Sequence, residues 1–160
     1  MTTAIYPGSF DPITNGHLDI VKRASSIFEK VILGVYDIPQ KSMLFSVDER
    51  VELARKAIVD YKNVQVLSYS GITIEFARKA KAQLLVRGLR ASSDFEREFE
   101  MALMNKKLAP DIELVCFMAN LRYQFLSSSL LKEIIMLGGN LDDMVPSHVS
   151  AALKKKLLNK

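Results

Sequence analysis

Five short β-rich runs, each followed by a longer stretch of helical period, fill most of this 160-residue chain, and that alternation leaves few folds open. The runs are Thr3–Tyr6, Val31–Tyr36, Val64–Ser68, Gln83–Val86 and Glu113–Met118. The first, second and fourth are nearly continuously apolar, the pattern of strands covered on both faces. Helices are predicted near 17–28, 47–60, 72–81, 94–107 and 128–137, and a last one opens at Pro146. Ser46-Val47-Asp48-Glu49 has the form of a capping box and marks the second helix start. Right-handed crossovers then give an α/β fold: a five-stranded parallel sheet with helices on both faces, a single domain over 1–160 that closes on C-terminal helices.

Composition agrees and removes other classes. With 49% hydrophobic and 25% charged residues the chain can bury one core, unlike a disordered or fibrous sequence. No apolar run is long enough to span a bilayer, and the N-terminus lacks the basic and apolar stretches of a signal peptide, so a cytoplasmic protein is expected. The single cysteine, Cys116, sits in the apolar run Leu114-Val115-Cys116-Phe117-Met118 and reads as a buried small hydrophobe. The net charge of +4 is carried by Lys154, Lys155, Lys156 and Lys160; without them basic and acidic residues balance. Four lysines at a helix end read as a solvated face that complements the dipole, so nucleic acid is not the expected partner.

In a parallel sheet, ligands bind beyond the carboxyl ends of the strands, where strand order reverses. The segments to inspect are therefore 7–16, 37–46, 69–72, 87–93 and 119–128. The first, Tyr6-Pro7-Gly8-Ser9-Phe10-Asp11-Pro12-Ile13-Thr14-Asn15-Gly16-His17, brings glycines and hydroxyls to a helix N-terminus, an anion site, but lacks the lysine of a P-loop and the third glycine of a dinucleotide fingerprint. His17 stands at that helix start, where the dipole disfavours imidazolium, so a neutral donor to a developing oxyanion is expected rather than a base. Arg87-Gly88-Leu89-Arg90 places two guanidinium groups directly after a buried strand, suited to phosphate oxygens. Tyr123-Gln124-Phe125-Leu126-Ser127-Ser128-Ser129 runs into a helix carrying Lys132 and forms a second hydroxyl-rich cradle. Lys41 is a lone loop cation. Asp94, Glu96, Glu98 and Glu100 lack histidine partners and read as a charged helix face, with no metal site expected. Hydrolase, metalloprotease and kinase signatures are absent, and two cationic cradles suit a nucleoside triphosphate handled by positioning and charge.

The Tyr6–Pro12 stretch with Thr14-Asn15-Gly16-His17, then Arg87-Gly88-Leu89-Arg90 with Asp94-Phe95-Glu96 and Glu98, then Phe125-Leu126-Ser127-Ser128-Ser129 with Lys132-Glu133, closely resembles the bacterial phosphopantetheine adenylyltransferases, in order and at matching spacing. Thr14-Asn15-Gly16-His17 fits the T/H-x-G-H signature of the wider nucleotidyltransferase superfamily. The resemblance implies a Rossmann-like fold, a homohexamer, and the penultimate step of coenzyme A synthesis, in which ATP and 4′-phosphopantetheine give dephospho-coenzyme A and pyrophosphate. By position it implies ATP contacts at Ser9, Phe10, His17, Gly88, Leu89, Arg90, Glu98 and Tyr123, Gln124, Phe125, Leu126, Ser127, Ser128 and Ser129. It implies phosphopantetheine contacts at Ser9, Lys41, Thr73 and Arg87. His17 becomes the stabiliser of the transition state, with Lys41 and Arg90 as further catalytic cations, and Mg²⁺ arrives with the triphosphate. The expected reaction is in-line attack by the acceptor phosphate on the α-phosphorus, with no covalent enzyme intermediate.

Four positions depart from the family pattern. Ser9 stands for threonine, Leu126 for isoleucine, Thr73 for a large apolar residue and Arg97 for tyrosine; Arg97 is expected at a subunit contact rather than in the site. Two alternatives remain open: another superfamily reaction, such as AMP transfer to nicotinate mononucleotide or CMP transfer to an alcohol phosphate, or a non-catalytic nucleic-acid binder that uses the lysine tail.

Overall fold

The computed structural model describes residues 2–37 and 43–158. Lys41 and Lys160 lie outside the described residues. The order is β1 (Thr3–Gly8), α1 (Asn15–Ile27), β2 (Lys30–Tyr36), α2 (Val47–Ala57), β3 (Val64–Tyr69), α3 (Thr73–Lys79), β4 (Leu84–Leu89), α4 (Ser92–Leu108), β5 (Glu113–Met118), α5 (Ser128–Met136) and α6 (Ser147–Leu158), with one 3₁₀ turn at Leu121–Tyr123. All strand pairs are parallel, in the order β3-β2-β1-β4-β5. The order reverses between β1 and β4, because the chain leaves β3 at one edge and crosses to the far side of β1.

Alternation along the strands splits the core into two layers. On one face Ala4, Tyr6, Leu33, Val66 and Val86 pack with Val21 and Ala24 of α1, Val51 and Ala54 of α2, Leu131 of α5 and Val149 and Leu153 of α6. On the other, Ile5, Ile32 and Leu85 meet Ile74 and Ala77 of α3. Truncating a fully buried Ile or Leu in such a layer costs on the order of 2–5 kcal/mol, so these two faces hold the fold on which the loops stand.

Three strands run further at their carboxyl ends than the hydropathy pattern suggests. β1 continues through Pro7 and Gly8, paired with Gly34 and Val35 of β2. β4 continues through Arg87, Gly88 and Leu89, paired with Cys116, Phe117 and Met118. Polar and glycine residues hid these ends, but the ladder satisfies their backbone groups as well as it does those of apolar residues. Of the Arg-Gly-Leu-Arg segment, only Arg90 lies beyond the strand. β3 gains Tyr69, and α2 stops at Ala57, three residues early.

Cys116 is exposed, contrary to the expectation of burial. It lies on edge strand β5, on the face shared with Met118, which is also exposed. Lys156 is likewise not a freely solvated tail charge. It pairs with Glu49 Oε1 at 2.9 Å and lies over the Phe45 ring, tying α6 to α2. Among the described residues no helix is long and apolar enough to cross a membrane.

Candidate functional site

A cleft of about 370 Å³ opens where the strand order reverses, at the carboxyl ends of β1 and β4. Its floor is built by the β1–α1 loop. Phe10 adopts a left-handed backbone with φ of 47°, and its ring folds back over Gly8, where an added Cβ would stand 2.8 Å from the ring. Phe10 also meets Tyr6 and His17 edge to face, with centroids 5.4 and 5.1 Å apart, so three aromatic rings brace one another under the cleft.

Thr14 and His17 form a reciprocal capping box at the start of α1. The Thr14 hydroxyl accepts from the His17 amide at 3.2 Å, and the Thr14 amide donates to His17 Nδ1 at 3.1 Å. An amide can only donate, so Nδ1 carries no proton and the neutral ring presents Nε2–H. Burial, then the charges of Arg90 and Arg87, push the His17 pKa down to about 4. The ring is therefore neutral at physiological pH, with burial the largest cause.

Facing it, Arg87 donates from Nε to Glu98 Oε2 at 2.8 Å, pairs through Nη2 with Glu98 Oε1, and donates from Nη1 to the Pro7 carbonyl at 3.0 Å. Burial opposes its charge, but the Glu98 pair outweighs burial and raises the guanidinium pKa. Arg90 pairs with Asp94 Oδ2 at 3.2 Å and donates from Nη1 to the Leu126 carbonyl at 2.9 Å, which ties β4 to the serine segment. Asp94 and Glu98 are thus inward-facing partners of two cleft arginines, one helical turn apart, rather than a solvated face. Arg97 also lines the cleft, so its expected place away from the site is corrected.

The serine segment divides its work. Ser127 caps α5 by accepting from the Leu130 amide at 3.1 Å, and Ser128 donates to the Pro12 carbonyl at 2.8 Å. Ser9, Gly88, Tyr123, Leu126, Ser127 and Ser128 line the cleft. Leu89, Gln124, Phe125 and Ser129 do not figure in its wall, since Leu89 is buried and the other three point to solvent. Thr73 lies instead in a second cavity of about 480 Å³ beside the first, with its hydroxyl 2.9 Å from that of Tyr69. Pro7, Arg87 and Glu98 belong to both walls, so the ion pair stands between the two cavities.

Sequence reasoning gave no role to Asp11, Arg50 or Tyr6. The Asp11 carboxylate is buried, which alone would raise its pKa, but the Leu44 and Phe45 amides and Lys132 Nζ at 2.9 Å hold it low. The signal for Arg50 was present: it occupies the apolar stripe Val47, Arg50, Val51, Ala54 of α2, where a charge is out of place. Among the described residues no group of three or more His, Cys, Asp or Glu side chains could hold a metal ion.

Comparison with known proteins places this geometry. The cytidylyltransferase-like family model matches residues 5–134. A phosphopantetheine adenylyltransferase of Clostridium botulinum strain 657 is 50% identical over 160 residues, covering 100% of this chain and 98% of that one. One of Clostridium tetani is 49% identical with 100% of both chains covered. The chain belongs to the phosphopantetheine adenylyltransferase family. A solved structure described as a nicotinate-nucleotide adenylyltransferase from Vibrio parahaemolyticus superposes with a TM-score of 0.71 at 20% identity, covering 99% of this chain and 93% of that one, which shows the shared fold alone. The Rossmann-like nucleotidyltransferase architecture of this family is thus the one the five strands build here.

Proposed function

We propose that this chain transfers the adenylyl group of ATP to 4′-phosphopantetheine, giving dephospho-coenzyme A and pyrophosphate, the penultimate step of coenzyme A synthesis in the cytoplasm. One observation carries the reading: a neutral His17 Nε2–H and two arginines converge at the switch point, and Arg87 reaches from that cleft into a second cavity. The full-length similarity to enzymes named for this reaction supports the choice of acceptor.

In this reading ATP occupies the first cleft. Arg90, Ser128 and the free amides at the α5 N-terminus take the β- and γ-phosphates, with Ser129 at their outer edge. The acceptor lies in the second cavity with Thr73 along its arm and its phosphate toward Arg87, Ser9 and Lys41. Its phosphate oxygen attacks the α-phosphorus in line while pyrophosphate leaves on the opposite side, so no enzyme-bound intermediate forms. His17 donates from Nε2 to the charge that builds on the α-phosphate, and a ring that is already neutral and already oriented needs no rearrangement to do so. The cleft carboxylates Asp94 and Glu98 are committed to arginines, so Mg²⁺ fits as a companion of the triphosphate that neutralises its charge, rather than as a caged protein ion.

The homohexamer implied by the resemblance belongs to the same proposal. Phe95, Phe99, Met101, Leu103, Met104 and Leu108 of α4 are each about half exposed or more, an apolar stretch too large for a monomer's surface and fit for a second copy of this chain.

Pyrophosphate release from Mg·ATP, measured with and without 4′-phosphopantetheine and with the nucleotide product weighed by mass spectrometry, tests the reaction. Acceptor-dependent release with a dephospho-coenzyme A mass is expected. Release with nicotinate mononucleotide instead would move the chain to a different acceptor class.

A further inference from the structure

Arg50, 2% exposed, is the largest side chain buried almost completely among the described residues. A guanidinium taken out of water must find acceptors for its N–H groups, because a buried charge left without partners is strongly destabilising. Here the acceptors are backbone carbonyls from three separate segments. Nε donates to Phe45 O at 3.2 Å, and the single nitrogen Nη1 donates to Ser9 O at 2.7 Å and to Tyr36 O at 2.8 Å. Among the described residues the carboxylate paired with it, Asp37, is half exposed and 4.0 Å away. Ser9 belongs to the wall of the first cleft and Tyr36 to the wall of the second cavity. One nitrogen atom therefore bridges the two walls. Phe45 is also held through its own amide, which donates to Asp11 Oδ1 at 2.9 Å.

We infer that Arg50 is a positioning residue that sets how the acceptor cavity stands relative to the nucleotide cleft. The inference rests on the two-cavity reading given above. A planar fork with donors at fixed angles can hold two carbonyls in one relative place, which a flexible ammonium does poorly. In-line transfer depends on alignment to within an ångström or so, whereas each substrate's own contacts lie within its own cavity. Loosening the bridge should therefore reach kcat before it reaches either KM.

The test uses the full chain with Arg50→Lys and Arg50→Gln, assayed by acceptor-dependent pyrophosphate release, with urea unfolding to count folded molecules. Arg50→Lys is expected to lower kcat about 10- to 100-fold with both KM values within about threefold of the parent, and Arg50→Gln to lower kcat further. A parent chain without acceptor-dependent release would overturn the reaction and this inference with it. An active parent beside a folded Arg50→Lys of unchanged kcat would overturn the positioning role alone. So would a loss confined to one KM, or the failure of both variants to fold, either of which makes Arg50 a binding or packing residue.

Discussion

α1 and α4 both follow strands that flank the switch point, yet the fold treats them in opposite ways. α1 buries Ile20, Val21 and Ala24 against the sheet and starts on a capping box whose third residue is His17. α4 is longer, at 17 residues, buries none of them and has no side-chain cap. It is fastened to the site by ions, through Arg87 with Glu98 and Arg90 with Asp94, while its phenylalanines and leucines face outward. One wall of the cleft is thus complete within a single chain. The other is held by charge pairs that phosphate can compete for, and its apolar side calls for a covering surface.

The contrast can be broken most severely at His17. His17→Ala should lower kcat by about 10²- to 10³-fold, as loss of one preorganised donor does, while KM for ATP moves little. Steady-state pyrophosphate release measures it, and near-normal turnover would remove the ring from the chemistry. On the α4 side, the pair Phe99→Glu and Leu103→Glu should dissociate the assembly, read as a fall in sedimentation coefficient to that of a monomer. A parent chain already monomeric would leave the outward face of α4 without the proposed cover.

A smaller effect separates the two regions by pH. The folded pKa of His17, about 4, lies below the ordinary value of 6.5, so the unfolded chain takes up this proton first. The contribution of His17 is therefore complete above pH 6.5 and is lost as pH falls toward 4, by up to about 1.4 kcal/mol per pH unit. Urea midpoints between pH 7 and pH 4 should show that slope, and His17→Asn should flatten it. The carboxylates Asp11 and Asp94 are held below 3.8, so their contribution starts to fall only at about pH 5 and is lost mainly below about pH 4. Smallest of all, Thr14→Ala should cost about 1 kcal/mol in the same unfolding experiment, the usual loss for an N-cap.

Much of the site was legible in the chain because its parts are local. The Ser46–Glu49 capping box needs only its own spacing, a buried strand needs only its apolar run, and a strand-end loop shows its glycines and hydroxyls in order, whereas the cap at Thr14 was missed because the first helix was expected to begin near residue 17. The ends of β1 and β4 were less legible, since Pro7, Gly8, Arg87 and Gly88 look like loop residues until a neighbouring strand pairs with them. Glu98 illustrates the same limit. Along the helix it is one acid among four, and only the approach of α4 to β4 makes it the partner of Arg87.

By itself, then, the amino-acid order determined the strand and helix alternation and the parallel sheet, consequences of periodicity, and it set the glycines, hydroxyls and His17 in order at the start of α1; burial and two distant arginines then made that histidine neutral. The tertiary structure decided which loops meet at the switch point, that Cys116 is exposed, that Arg97 lines the cleft, and that Arg50 joins Ser9, Tyr36 and Phe45. Most of those contacts join different elements, Arg50 to Ser9 across 41 residues among them, and no local propensity encodes them. Burying the two apolar layers brings these segments together, and among the described residues every buried side-chain polar atom then finds a hydrogen-bond partner.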